Sequence, residues 1–238
     1  QDTALYAFGH TILAAIITAT AVMVGISAWH LRRKNETGVF KASMKLAMPL
    51  LAVAAILNVG VGHFFGELMV EQQPMKMAAA DAVFETEEGV GLSLFATGDF
   101  ENNPEGLNRN VEIPNLLSFI STGKPMGEVQ GVNNINEEYR QKYGEPKIDG
   151  KENPDYLGPQ FRDLDFAPPV WVAYWSWRAM IGCGMLLALF GLIGWWLVRR
   201  DRIEESRRFL KIAMPVAILP FIASWTGWIF TEMGRQPW

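Results

Sequence analysis

The chain has 238 residues, half of them hydrophobic, with a mean hydropathy of +0.09 and a net charge of −4. These averages fit a soluble domain and a membrane protein equally, so the class depends on where the apolar residues lie. The acidic balance gives no indication of nucleic-acid binding. The single cysteine, Cys183, excludes a disulfide framework and a thiolate metal site within the chain.

The apolar residues are concentrated in four blocks, at 4–31, 46–70, 169–198 and 209–230. Each block is long enough to cross a hydrocarbon layer of about 30 Å, which takes about 20 helical residues. We therefore predict an all-α membrane protein with four transmembrane helices and a long polar loop between the second and third.

The charges of the connecting segments predict the orientation in the membrane. Segment 71–165 carries 18 acidic and 8 basic side chains, a net charge of −10. By the positive-inside rule the short connections, which are basic, face the cytoplasm, and the long loop is extracytoplasmic. The basic residues of these connections are Arg32, Arg33, Lys34, Lys41, Lys45, Arg199, Arg200, Arg202, Arg207, Arg208 and Lys211.

Three parts follow from this pattern: a helical hairpin at 1–70, the loop at 71–167 and a second helical hairpin at 168–238. Within the loop, residues 114–121 and 134–143 have the composition of short helices, the second closed by Gly144. The loop has no strand alternation and no strong apolar core. We therefore predict that it is either functional or partly disordered.

His10 in the first span and Met180 in the third lie at similar depths in the outer half of the membrane. A neutral imidazole and a thioether on two helices are the ligand pair of a six-coordinate, low-spin haem iron, which serves as an electron carrier. Two other interpretations stay open: a histidine hydrogen-bonded to a neighbouring helix, and a methionine that only packs.

The third and fourth spans also contain charged residues. Trp228, Glu232 and Arg235 share one face of the fourth span at i, i+4 and i+7, and an ionisable residue within a membrane indicates a functional site. Glu232 is a candidate ligand of a high-spin haem iron and Arg235 a candidate partner of a propionate, with a structural ion pair as the alternative. Arg178 does not share the face of Met180 but can reach a propionate by its length.

The segment 71–82, directly after the second span, has the composition of a short helix. Pro74 suits its first turn and the alanines that follow suit its continuation. Lys76 and Asp81 lie about 140° apart around a helix axis, so they flank a site from two sides and do not form a simple ion pair. A solvated pair of charges is the alternative.

Four motifs together resemble a known family. In order they are FGHT at 8–11, QPMKMAA at 73–79, YWSWRAM at 174–180 and GRQPW at 234–238, the last preceded by Trp228 and Glu232. Their order and spacing are similar to those in subunit I of cytochrome bd-type quinol oxidases. The short loop and its QQPMKM sequence resemble those of actinobacterial members of the family.

The resemblance implies a role for each matching residue. His10 and Met180 match the ligands of haem b558, and Arg178 matches an arginine close to that haem. Lys76 matches the lysine of the quinol-binding loop. Asp81 stands where the family has a glutamate, one methylene longer, and Glu85 can compensate for this change.

The end of the chain matches the family's high-spin site. Glu232 matches the ligand of one of two high-spin haems, b595 and d, with Trp228 and Arg235 as its motif neighbours. The implied enzyme oxidises quinol at the outer face and passes electrons through b558 to b595 and d, where oxygen is reduced to water.

In the family about four further helices precede this region, and this chain begins at Gln1 without an initiator Met. We therefore expect a fragment that does not reduce oxygen alone. The expected partners are the missing N-terminal helices, oxidase subunit II, small accessory subunits, membrane lipid and quinol. The expected location is the bacterial cytoplasmic membrane, with several spans and the large loop outside.

Two other functions remain at this stage. A membrane b-type cytochrome that anchors a quinol dehydrogenase would need a second histidine pair within the helices, and the chain has only His10, His30 and His63. A non-redox transporter segment or assembly factor would use Glu232 and Arg235 as a structural ion pair.

Overall fold

A computed structural model describes residues 2–100 and 106–235. The chain forms two compact units. The first consists of Gln1–Gly66 and Ala179–Trp228, and the second of Glu67–Arg178 and Ile229–Trp238. The helices are α1 Asp2–Arg32, α2 Thr37–Gln72, α3 Pro74–Asp81, α4 Leu116–Thr122, α5 Val132–Gly144, α6 Val170–Arg199, α7 Arg207–Val216 and α8 Leu219–Met233.

Among the described residues, four helical segments are long and apolar enough to cross a membrane: Thr3–Arg32, Thr37–Gln72, Val170–Arg199 and Arg207–Met233. The prediction of four spans in a mostly helical chain is therefore confirmed. The second span begins nine residues earlier than its apolar block, because the polar residues before Leu46 continue the helix to Thr37.

The fourth span is interrupted, which its apolar block did not indicate. Helix α7 ends at Val216 and α8 begins at Leu219. Pro215 lies inside α7, and Pro220 lies in the first turn of α8. Each proline lacks the N–H that would bond a carbonyl four residues earlier, so two prolines in six residues break the regular helix.

The first unit is held together by close helix packing. At Gly191 the backbone of α6 approaches that of α2, and a Cβ added there would lie 2.9 Å from Cα of Ala52. Lys41 and Lys45 of α2 each contact Asp201, which follows α6, at 3.2 Å. The two basic connections therefore lie on the same side of this unit.

The second unit contains strands, so the prediction of a loop without them is wrong. In its described residues, three antiparallel pairs form: β1 Glu87–Glu88 with β4 Glu128–Val129, β2 Leu92–Thr97 with β3 Asn108–Ile113, and β5 Lys147–Ile148 with β6 Lys151–Glu152. A register irregularity around Phe95 breaks the alternation of β2, and four of the strands have only two residues. Such strands leave little pattern in a sequence.

The loop has small apolar clusters of its own. Val83, Val90 and Leu117 form one. In another, the buried ring of Phe166 lies 5.8 Å from the ring of Tyr139. Helices α4 and α5 agree with the two short helices predicted for this segment, and α5 ends at Gly144 as expected.

Replacing Gly191 by Ala tests the close packing of α6 on α2. The added methyl group meets backbone atoms that cannot move aside, so we expect a loss of about 1–3 kcal/mol in the free energy of unfolding. Thermal unfolding in detergent measures it. Gly182→Ala on the same helix is the control, because a Cβ there meets nothing within 4 Å; equal changes in the two variants would contradict the packing argument.

Candidate functional site

Helix α3 is the centre of the candidate site in the second unit. Pro74 occupies its first position, and the helix ends where Ala82 adopts a left-handed conformation, with a φ of 51°. Every residue from Met75 to Asp81 is buried. A helix this short is not stable alone, so its conformation depends on the groups packed around it.

Lys76 packs against the end of α8. Its residue is 5% exposed, and its ammonium group lies 4.8 Å from the ring centroid of Phe230. A Cβ added at Gly234 would lie 2.7 Å from Cγ of Lys76, so only glycine allows this approach. Burial, aided by the charge of Arg235 and opposed by that of Glu232, lowers the pKa of Lys76 to about 8.

Asp81 packs on the other side, against the start of α6. Its Oδ1 atom accepts a hydrogen bond of 2.8 Å from Nη2 of Arg178, and the two side chains are only 8% and 10% exposed. Burial raises the pKa of Asp81, while the charges of Arg178 and Arg109 oppose that rise. Neither Lys76 nor Asp81 is therefore a solvated charge. Glu85, the possible substitute for Asp81, is exposed and accepts a hydrogen bond from Asn133.

Arg178 joins three segments of the second unit. Besides Asp81, it donates to the carbonyl of Ala80 at 3.1 Å and, through Nε, to the carbonyl of Ser93 at 2.7 Å. Its guanidinium carbon lies 4.5 Å from the ring centroid of Tyr174. The hydroxyl of Tyr174 in turn shares a hydrogen bond of 2.9 Å with that of Ser93. Sequence reasoning missed Ser93 and Tyr174, although Tyr174 opens a motif that it had singled out.

His10 lies in the first unit, where α1 packs on α2. A Cβ added at Gly62 would lie 3.3 Å from Cε1 of His10. The Nδ1 atom is buried and has no hydrogen-bond partner among the described residues, although the backbone of Asn58 lies close to the ring. A histidine that ligates an iron through one ring nitrogen ordinarily has its other nitrogen beside a backbone carbonyl, so this position keeps His10 as a candidate haem ligand.

Met180 lies in the same unit, where α6 meets α8. A Cβ added at Gly227 would lie 2.9 Å from its sulfur atom, so the glycine makes room for the thioether. Met180 is half-buried, as His10 is. The donor set of one imidazole and one thioether fits a haem iron, and we retain both residues as candidate ligands.

The end of α8 carries the remaining candidates. Glu232 and Arg235 lie 3.9 Å apart, with side chains 53% and 67% exposed, and Trp228 is 67% exposed. These side chains therefore have most of their surface uncovered within the chain, and both the haem-ligand role and the structural ion pair stay open for them. No group of three or more His, Cys, Asp or Glu residues is placed to hold a metal in the described ranges. Gln236, Pro237 and Trp238, the end of the GRQPW motif, lie outside those ranges.

Replacing Asp81 by Asn tests the buried ion pair. Asparagine has nearly the size of aspartate and retains one oxygen that accepts a hydrogen bond, but it does not balance the charge of Arg178. We therefore expect the free energy of unfolding to fall by about 3 kcal/mol. Thermal unfolding and limited proteolysis of the loop measure this.

The matched control is Asp155→Asn, because Asp155 is 55% exposed and lies 3.8 Å from Lys142. Breaking such a surface pair costs less than about 1 kcal/mol. Equal losses in the two variants would show that the Asp81 pair is no more important than a surface contact.

Comparisons with known proteins identify the family of the chain. The chain is 36% identical over 233 residues to the cytochrome bd ubiquinol oxidase subunit 1 of Bacillus subtilis (strain 168), covering 97% of this chain and 45% of that protein. It is 28% identical over 273 residues to the cytochrome bd-II ubiquinol oxidase subunit 1 of Escherichia coli (strain K12), covering 97% and 52%. The chain thus spans about half the length of the curated relatives it matches.

A solved structure and a family model give the same result. The structure of the bd oxidase from Geobacillus thermodenitrificans superposes with a TM-score of 0.77 at 26% identity, covering 97% of this chain and 46% of that one. The family model for the cytochrome bd terminal oxidase subunit I matches residues 1–238. The chain therefore belongs to the cytochrome bd terminal oxidase subunit I family.

Proposed function

We propose that this chain is part of subunit I of a quinol oxidase, and that α3 carries its quinol-oxidising site. The observation that carries the proposal is the burial of a lysine and an aspartate on one eight-residue helix, each against a different membrane-spanning helix. Burying two ionisable groups so close together costs free energy, which a role in binding or proton transfer explains. Family membership supports the same function.

Lys76 and Asp81 have complementary roles in this proposal. Oxidation of a quinol releases two protons and two electrons, so the site needs a hydrogen-bond donor to hold one ring oxygen and a base to accept a proton. Lys76 in its ammonium form is the donor. Asp81 is the base, because it carries the buried carboxylate of the site and burial raises its pKa above the ordinary value.

The candidate ligands complete the proposed electron-transfer role. His10 and Met180 would hold haem b558, and Glu232 would bind the iron of one of the high-spin haems b595 and d, with Arg235 as a propionate partner. When bound, the haems supply the one-electron chemistry that connects quinol oxidation with the reduction of oxygen to water. Subunit II and the additional helices of subunit I are the proposed partners, and small accessory subunits fit the same membrane complex.

The proposed orientation follows from charge. The basic connections would face the cytoplasm and the acidic loop the outside of a bacterial membrane. The helical hairpins at 1–70 and 168–238 would carry the haem ligands, and 71–167 would be the quinol-binding loop. The oxygen-reducing activity would require the helices that supply the opposing ligands, so this stretch alone would not be competent.

Replacing Lys76 by Ala tests the quinol site. Loss of a charge-assisted hydrogen bond, worth about 1.5–3 kcal/mol, lowers kcat/KM for quinol about 10–100-fold while the haem spectrum is retained. Steady-state quinol oxidation by the complete oxidase measures this. Lys124→Ala, at an exposed loop lysine, is the control. Full turnover by Lys76→Ala would show that the site is elsewhere.

The pH dependence provides a second measurement on the same residue. The ammonium form of Lys76 is lost as the pH rises through about 8, so the KM for quinol should rise from pH 7 to pH 9. Lys76→Arg keeps its charge over this range, and its KM should rise less. Parallel profiles for the two proteins would contradict a binding role for the ammonium group.

Replacing Met180 by Leu tests the axial ligand. Leucine has a similar volume but no sulfur atom, so the low-spin haem signal in reduced-minus-oxidised spectra should disappear or shift. Met185→Leu on the same helix is the control, because Met185 is 55% exposed. An unchanged low-spin signal in Met180→Leu would refute the ligation, and the absence of any haem signal in the wild-type protein would refute the proposed function.

A further inference from the structure

The hydroxyl groups of Ser93 and Tyr174 form a buried pair that none of the proposed roles uses. We infer that this pair positions Arg178, and through it the carboxylate of Asp81, for quinol oxidation. Ser93 and Tyr174 are thus positioning residues of the site, and the inference rests on the proposed function of α3.

Ser93 is held to α6 by three hydrogen bonds, of which the longest, at 3.4 Å, runs from the hydroxyl of Tyr174 to the backbone carbonyl of Ser93. Its hydroxyl oxygen lies 2.9 Å from that of Tyr174, and its backbone carbonyl accepts the 2.7 Å hydrogen bond from Nε of Arg178. Ser93 is 2% exposed and Tyr174 is fully buried. Because a buried hydroxyl without a partner is costly, each hydroxyl fixes the position of the other.

Tyr174 also supports Arg178 directly. The two residues lie one turn apart on α6, and the guanidinium carbon lies 4.5 Å from the ring centroid. This distance is within the range of a cation–π interaction, which is stronger where water is excluded. The ring therefore limits the movement of the guanidinium towards one side, while the carbonyl of Ser93 fixes the direction of the Nε–H bond within the plane of the group.

The orientation of the guanidinium determines where Asp81 is held. The group is planar and rigid, so fixing Nε at Ser93 also fixes the directions of the two terminal nitrogens. Nη1 donates to the carbonyl of Ala80 and Nη2 to Oδ1 of Asp81. A shift of Ser93 would thus change the direction in which the carboxylate is held.

A purely structural role for the hydroxyl pair makes a different kinetic prediction. A loosened loop weakens the binding of quinol and raises its KM. A displaced proton acceptor lowers kcat, because a misplacement of about 1 Å is sufficient to slow a reaction strongly. The ratio of the effects on kcat and KM therefore separates a positioning role from a structural one.

The experiment measures quinol oxidation by the complete oxidase carrying Tyr174→Phe, Ser93→Ala or both. Phenylalanine retains the ring beside Arg178, so only the hydroxyl is lost. We expect kcat to fall about tenfold in each single variant, with KM within about twofold. The double variant should resemble Tyr174→Phe, because loss of the tyrosine hydroxyl already removes every hydrogen bond that it makes with residue 93. Dithionite-reduced haem spectra should match the wild type, which checks that each variant is folded.

Ser118→Ala is the matched control. Ser118 is fully buried in the same loop, and its hydroxyl accepts a hydrogen bond from the backbone N–H of Val90. We expect its kcat to stay within about twofold of the wild type. A fall in kcat equal to that of Tyr174→Phe would overturn the inference, because any buried hydroxyl of the loop would then have the same effect.

Two further outcomes overturn the inference in distinguishable ways. If Lys76→Ala lowers quinol oxidation with its haem spectrum retained, while Tyr174→Phe and Ser93→Ala keep the wild-type kcat, the positioning role is wrong and the proposed function stands. If Asp81→Asn and Lys76→Ala both oxidise quinol normally, the proposed site itself is wrong, and the inference fails with it.

Discussion

The second unit depends on the buried ion pair between Arg178 and Asp81. Removing both charges from water costs several kcal/mol for each ion, and this cost is offset only if the geometry is good and further hydrogen bonds satisfy the guanidinium. The carbonyls of Ala80 and Ser93 supply those bonds. The side chain of Arg178 thereby fixes the end of α3 and the start of β2. If either segment moved, the guanidinium would lose a hydrogen-bond partner in a buried position.

Glycine has a related role at the candidate haem ligands and at the lysine. His10 and Met180 each lie beside a glycine of a neighbouring helix, Gly62 and Gly227 respectively, and Lys76 lies beside Gly234, which directly follows α8. Small residues allow close approach between membrane helices. Here the glycines also leave room for these three side chains beside the main chain, so main-chain packing limits where the side chains can lie.

Features that depend on local composition were predicted from the sequence. Features that depend on contacts between distant segments were not. Hydropathy was sufficient for the four spans, and the polar helix ending at Gly144 was recognised from its composition and terminating glycine. Pro215 and Pro220 mark the break in the fourth span, but the high hydropathy of the whole block led to the prediction of one continuous helix. The sequence left open whether Lys76 and Asp81 are buried at a site or solvated, because the residues that they contact lie about 100 or more positions away in the chain. Ser93 carried no signal at all, since its role arises only when β2 meets α6.

The separation of Asp81 and Arg178 in the chain also has a consequence for biosynthesis. The two residues are 97 positions apart, so at about 5–20 residues per second the carboxylate is made roughly 5–20 seconds before its counter-ion. During that interval the segment containing α3 cannot bury its acidic side chain at low cost. Completion of this part of the loop must therefore wait for the third span, which couples the folding of the loop to membrane insertion of the helix that carries Met180.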